Sequence, residues 1–267
     1  MSKPIEPFDD TARYERFMGR WSRCLAPAFI AFCDIGRAHR VLDVGCGTGA
    51  MCDALDATFP ACHVTGVDLS LEFVRHCRAR LPLARFSFDR ANAAELPYQD
   101  ARFDAALSLL LLMLVPDQAG VAAELQRVTR PGGVVAACTW DATGLSMVDA
   151  FWHEALVLDP QAPSGAGRTV CARPGQLAAL WHSTGLADVT ESVVTITMEF
   201  HSFDDFWLPL AAGVGPAGAY LGSLSSQQRL ALRDRLRRRV DGMAQQGGAL
   251  AFPATALMVR GIRCSSA

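Results

Sequence analysis

Along the first half of this chain the apolar positions switch between a helical period and short unbroken runs. Residues 22–32 carry apolar side chains at helical spacing, and Gly36 follows as the helix-ending residue. Arg40-Val41-Leu42-Asp43-Val44 then reads as a buried strand, followed by a glycine-rich turn and a helix over residues 50–58. From there the pattern predicts strands over 63–68, 84–89, 103–109 and 134–139, with helices over 71–80 and 117–129 between them. Such alternation specifies right-handed crossovers and a parallel sheet with helices on both faces, an α/β fold of the doubly wound kind.

Beyond Trp140 the rhythm loosens. Helices are expected over 145–158 and 175–184, a Val- and Thr-rich strand over 189–198, and a closing strand over 255–262. Between these two late strands lies an insert, residues 199–252, that begins with aromatics and includes a Gly/Pro/Ala loop over 211–219. Its long helix starts at Ser225 with Gln228 three residues later, a capping box, and sets Leu232, Leu236, Val240 and Met243 on one stripe. The arginines on the other face, Arg229, Arg233 and Arg237 to Arg239, read as a solvated surface.

Composition narrows the classes. The 267 residues are 51% hydrophobic and 19% charged with a net charge of −2, which excludes a disordered chain and supplies no positive field for nucleic acid or an anionic membrane. The first ten residues lack an apolar run, so the expected location is the cytoplasm, and the longest apolar run, residues 105–115, is too short to span a membrane. The nine cysteines are scattered without metal spacing and read as buried, reduced thiols, so no metal is expected.

The chemistry is concentrated in Val41-Leu-Asp-Val-Gly-Cys-Gly-Thr-Gly-Ala50, a strand entering a glycine turn at a helix start. Glycines admit close approach of a nucleotide, and the helix start presents free N–H groups. The turn alone fits either a dinucleotide or S-adenosylmethionine. Asp43 separates them: a carboxylate about 4 Å from a diphosphate would be repelled by roughly 4 kcal/mol at an effective dielectric of 20, whereas it attracts a cofactor carrying an ammonium and a sulfonium. Asp68, ending the second strand in Gly66-Val-Asp-Leu-Ser70, can accept both ribose hydroxyls. After the third strand, Asn92 can pair with an adenine amino group and the Ala93 N–H with a ring nitrogen, unless the segment is a simple Asx turn.

These residues resemble the class I S-adenosylmethionine-dependent methyltransferases, in particular the bacterial group similar to quinone-biosynthesis methyltransferases. The resemblance rests on VLDVGCGTG (41–49), GVDLS (66–70), NAAELPYQDARFD (92–104) and ELQRVTRPGG (124–133), in the family's order and spacing, and extends to YERFMGRWSRCLAPAF (14–29) and GPAGAYLGSL (215–224). It implies a Rossmann-like, mostly parallel seven-stranded sheet with a helical lid inserted between the last two strands. In domain terms, 1–38 is a helical segment covering the cofactor site, 39–198 with 253–267 the core, and 199–252 the lid.

The resemblance further implies that Asp43, Gly45, Cys46, Gly47 and Gly49 hold the methionine moiety, Asp68 and Leu69 the ribose, and Asn92 and Ala93 the adenine, with the Leu109 carbonyl on the ammonium. From their position before the first strand, Tyr14, Arg20 and Trp21 can fold over the cofactor, with Trp21 either beside the sulfonium or a core anchor of its helix. Relatives commonly carry Asp where Asn92 stands, and residues 109–115 are unusually aliphatic here. Tyr14, Phe203, Trp207 and Tyr220 are candidates to line an acceptor pocket, and His153, His201 and Asp141 are candidate bases. The expected function is in-line methyl transfer to a small molecule, leaving S-adenosylhomocysteine, by a monomer or homodimer without nucleic-acid or integral membrane contact. The acceptor atom stays open. The rivals are an NAD-dependent oxidoreductase and a noncatalytic cofactor-binding protein.

Overall fold

The computed structural model describes residues 10–163, 171–213, 215–242 and 249–265. Met243 of the expected stripe, Val214 and the first nine residues lie outside them. The chain opens with α1 (Thr11–Tyr14), a π-helical turn (Glu15–Gly19) and α2 (Arg20–Cys33). Then β1 (Arg40–Val44), α3 (Ala50–Thr58), β2 (His63–Asp68), α4 (Leu71–Arg80), β3 (Phe86–Arg90), β4 (Phe103–Leu109) and α5 (Gln118–Val128) follow in the expected alternation. β5 (Thr129–Leu145), α6 (Ser146–Leu158), α7 (Gln176–Ser183), β6 (Leu186–Phe200), α8 (Phe203–Ala211), α9 (Gly215–Ser223), α10 (Ser226–Asp241) and β7 (Leu250–Arg263) complete it.

Side-chain caps mark several of the helix starts. Ser70 accepts from the Phe73 N–H ahead of α4, and Asp117 accepts from the Gly120 N–H ahead of α5. Ser225 and Gln228 form the expected capping box of α10.

Three expectations are corrected. α2 ends on Asp34, which takes the left-handed conformation at φ 49° two residues before Gly36; Asp tolerates that region better than most side chains. Residues 215–219, expected as loop, open α9, where Pro216 sits in a first turn that has no use for its missing N–H. The third strand begins at Phe86 rather than residue 84.

The seven strands form one sheet in the order β3-β2-β1-β4-β5-β7-β6. β1 pairs in parallel with β2 and with β4, β2 with β3, and β4 with β5. The chain steps from β1 outward to β2 and β3, then returns to the other side of β1 as β4. The carboxyl ends of β1 and β4 therefore flank a topological switch point, where ligands bind in open α/β sheets.

The chain divides into two compact units. The sheet unit comprises Gly19–Asp141, Val170–Val194 and Ala256–Ala267, and the helical unit Met1–Met18, Ala142–Thr169 and Thr195–Thr255. In the sheet unit, Leu42, Val44, Ala106, Val135 and Val259 pack with Val121, Leu125 and Trp181 in one continuous core. In the helical unit, α6 packs with α9 and α10, and α8 with α9 and α10, around buried Leu232, Leu236 and Val240. Of the α10 arginines, Arg237 to Arg239 are exposed as expected, while Arg233 pairs with Asp204 at 2.9 Å and Arg237 with Asp241 at 3.7 Å. Among the described residues no helix is long and apolar enough to cross a membrane.

Candidate functional site

The glycine turn leaves β1 at the switch point. Gly45, Gly47 and Gly49 all hold positive φ, at 77°, 51° and 90°, a region open to glycine at little cost. Close packing adds a second demand: a Cβ on Gly45 would come within 3.0 Å of Leu111, and one on Gly49 within 2.6 Å of the Arg80 guanidinium. The Gly45 and Cys46 amides donate to the Val67 carbonyl at 2.8 and 3.0 Å, tying the turn to β2. Arg80 braces the start of α3, donating to Asp53 at 2.6 Å and to the Thr48 carbonyl at 3.0 Å.

Asp43 is the most informative residue here. It is 1% exposed, and burial, above all, pushes its carboxyl up to about 7, with the nearby Asp68 charge adding to the rise. Its Oδ2 accepts a weak hydrogen bond from the Cys52 thiol at 3.4 Å, and its Oδ1 has no hydrogen-bond partner among the described residues. A buried carboxylate oxygen without a partner is costly. Its environment is suited to a cationic donor arriving from outside. The Thr48 hydroxyl in the same turn is likewise buried, with no hydrogen-bond partner among the described residues.

Asp68, ending β2, is engaged by backbone: Gly47 N–H donates to one oxygen and Ser70 N–H to the other, both at 2.9 Å. Burial raises its pKa while those amides lower it. It is thus oriented at the lip of the glycine turn with acceptor capacity left, and Leu69 beside it is 58% exposed. Asn92 is exposed, and its Oδ1 accepts from the Ala94 N–H at 3.1 Å. The Asx turn that the sequence allowed is therefore present, and the adjoining Ala93 is half-buried. Leu109 closes β4, and Leu110 follows at φ 62° with its N–H on the Cys138 carbonyl at 2.8 Å.

α2 packs beside α3, with Arg23 and Asp53 3.6 Å apart. Trp21 is buried, and the Arg20 guanidinium lies 4.4 Å from its ring centroid, so the cation on one face of that ring is Arg20.

Cys46, Cys52 and Cys77 gather around the turn, a clustering their sequence spacing did not reveal. Cys77 donates to the Gly47 carbonyl at 3.4 Å. The neighbouring Cys77 thiol and burial push Cys46 up, and burial with the Asp43 charge pushes Cys52 up. Cys46 and Cys52 are thus held as neutral thiols rather than nucleophiles.

The remaining candidates belong to the helical unit, except Asp141 at the end of the sheet unit's first segment. Phe203 stacks on Trp207 at 6.2 Å, and Tyr220 lies 5.6 Å from Trp152 with its hydroxyl 3.5 Å from Asp159. Tyr14 closes α1. His153 is half-exposed and bound into an ion cluster with Glu154 at 3.2 Å and Arg239 at 3.0 Å. His201 is exposed, its N–H donating to Asp205 at 3.1 Å.

Residues 42–137 match the methyltransferase domain family. Among curated relatives, an uncharacterized protein of Mycobacterium bovis is 35% identical over 142 residues, covering 52% of this chain and 49% of its own length. A fatty-acid O-methyltransferase of Mycolicibacterium smegmatis is 36% identical over 116 residues, covering 43% of this chain and 42% of its own. The chain spans about half the length of the curated relatives it matches. Among solved structures, the YcgJ protein of Bacillus subtilis superposes with a TM-score of 0.58 at 19% identity, over 92% of this chain and 100% of that one. Phosphoethanolamine N-methyltransferase 2 of Haemonchus contortus, in complex with S-adenosyl-L-methionine, does so with 0.56 at 15% identity, over 96% and 57%. The methyltransferase domain thus coincides with the part of the sheet that holds Asp43, the glycine turn, Asp68 and Asn92.

Proposed function

We propose that this protein binds S-adenosylmethionine at the glycine turn and transfers its methyl group to a small, partly apolar acceptor. The observation that carries the reading is Asp43, a buried carboxylate with one oxygen unpartnered beside a turn of positive-φ glycines. Such a group suits a cationic amino-acid moiety and opposes a diphosphate.

The cofactor supplies a methyl group on a sulfonium, whose in-line displacement discharges that positive charge. In this reading Asp43 and the Leu109 carbonyl take the ammonium, and Gly45, Cys46, Gly47 and Gly49 allow backbone approach to the methionine moiety. Asp68 accepts the ribose hydroxyls, Leu69 covers the nucleoside, and Asn92 and Ala93 meet the adenine edge. Alignment of donor and acceptor in a dry site then supplies much of the rate.

The aliphatic segment after β4 supports an apolar acceptor, and the relative that methylates fatty acids accords with it. Of the three candidate bases, Asp141 lies in the sheet unit, whereas the His153 ring is engaged by Glu154 and Arg239. Radiolabelled methyl transfer to a panel of small acceptors, aliphatic acids and phenols included, tests the reading. Label should enter an organic-extractable product. Tight S-adenosylhomocysteine binding with no transfer to any acceptor would leave a cofactor-binding protein and contradict the catalytic half.

A further inference from the structure

Two tryptophans are buried in the sheet unit against or within β5, and they differ in one respect. Trp181, on α7, donates its indole N–H to the Val135 carbonyl at 2.9 Å. Trp140, within β5 itself, is 2% exposed, and its Nε1 has no hydrogen-bond partner among the described residues. A buried donor left unsatisfied costs about 1–3 kcal/mol, and buried indole N–H groups usually find a partner. Trp181 shows that the same strand can satisfy such a group where the need is structural.

Position says what Trp140 is for. β4 stops at Leu109, in register with Cys138, so Thr139, Trp140 and Asp141 run past its carboxyl end, the edge at which open α/β sheets bind ligands. The segment after β4 is held to the same edge at both ends of its first turn. Leu110 N–H donates to the Cys138 carbonyl at 2.8 Å, and Leu111 lies against Gly45 of the glycine turn. This segment, Leu109 to Val115, is aliphatic throughout, and its Leu114 is 56% exposed. An apolar wall with one directional donor is the usual make-up of a small-molecule site.

We infer that the Trp140 indole N–H is a hydrogen-bond donor to an oxygen of the methyl acceptor, and that this acceptor is an aliphatic carboxylic acid whose chain lies along the Leu110–Leu114 turn. The inference rests on the proposed methyltransferase reading and deepens it, assigning an acceptor-binding residue that the motifs do not mark. A carboxylate accepts strongly from an N–H in a dry site, and it needs no base: one ionised oxygen would form the new O–C bond to the methyl as the S–C bond breaks with its electron pair staying on sulfur, while the indole N–H orients the acid.

The test uses the full chain saturated with S-adenosylhomocysteine, with decanoate as the acceptor probe. In protein labelled with 15N-tryptophan, one of the five indole cross-peaks should move downfield as decanoate is added. The peak that moves should be the one absent from Trp140→Phe, a variant that keeps a buried ring and loses the donor. By calorimetry, Trp140→Phe should bind decanoate at least about tenfold more weakly and S-adenosylhomocysteine within about twofold of the parent. Decanoate that fails to bind, that binds both proteins equally, or that leaves every indole peak in place overturns the inference while the cofactor reading stands. Failure of the parent to bind S-adenosylhomocysteine overturns both. Should Trp140→Phe not fold, the titration of the parent still decides, because an unmoved set of indole peaks contradicts the proposal by itself.

Discussion

Each unit buries one carboxylate that stands out, and the two are electrostatic opposites. In the helical unit Glu154 is held by Arg235 at 2.9 Å, Arg239 at 3.1 Å and His153 at 3.2 Å. Although burial opposes it, these partners hold its pKa below the usual carboxylate range. In the sheet unit Asp43 has a thiol on one oxygen and, among the described residues, no hydrogen-bond partner on the other, and burial lifts it from 3.8 to about 7. A group whose demands the fold meets internally is part of the scaffold; a group whose demands the fold leaves unmet is a candidate for meeting something from outside. The difference gives opposite pH signatures. Glu154 stabilises the protein at neutral pH, and that contribution is lost as the pH falls through its ordinary range toward its lowered value. Asp43 weakens folding progressively as the pH rises from about 4 toward 7, because the unfolded chain releases that proton earlier.

The comparison breaks most visibly under truncation. Glu154→Ala should cost about 2 kcal/mol of unfolding free energy in urea titration, the partly exposed guanidiniums keeping some hydration, and should leave S-adenosylhomocysteine affinity unchanged. Asp43→Asn should do the reverse. Calorimetry should show at least about a hundredfold weaker S-adenosylhomocysteine binding, since removing one partner of a buried charge pair costs 2–5 kcal/mol or more. Unfolding free energy at pH 8 should rise, because the 3.8-to-7 displacement corresponds to roughly 4 kcal/mol between protonation states.

Smaller effects sharpen the account. Gly45→Ala should weaken cofactor binding by about tenfold and destabilise by 1–2 kcal/mol, combining strain at φ 77° with the 3.0 Å approach to Leu111. Parent affinity for S-adenosylhomocysteine should strengthen about tenfold from pH 6 to pH 8 and level off above, since the ligand ammonium needs Asp43 ionised; a flat profile would detach Asp43 from the ligand. Asn92→Ala should weaken binding only about threefold, because an exposed amide shared with the Ala94 N–H contributes on the order of 0.5–1 kcal/mol.

Much of the first half of the sheet unit was legible from pattern because β1, β2 and β4 are short, mostly apolar runs and two of the helix starts carry side-chain caps, at Ser70 and Asp117. β1, α3, β2, α4 and β4 have the residue limits that the sequence implied. β5 was harder: expected over 134–139, it runs from Thr129 to Leu145, with a register shift between the Phe103–Thr129 and Ala105–Val134 pairs that accommodates Arg130-Pro-Gly-Gly133. The start of α9 misled for a different reason, its Gly and Pro residues suiting a first turn as well as a loop.

At the site, Asp43, Asp68 and the glycines could be read because strand-to-turn chemistry is local. Nothing local marked the unpartnered Trp140 N–H or the gathering of Cys46, Cys52 and Cys77, which depend on residues distant in sequence. His153 is an ion-cluster member for the same reason, since Arg235 and Arg239 lie more than eighty positions away.

The central claim is that the carboxylate at Asp43 selects a cationic, amino-acid-bearing nucleotide over a diphosphate one. Side-by-side calorimetric titrations of the purified protein with S-adenosylhomocysteine and NADH at pH 8 test it most directly. The account predicts saturable binding of S-adenosylhomocysteine and none of NADH; tight uptake of NADH with no response to S-adenosylhomocysteine would contradict it.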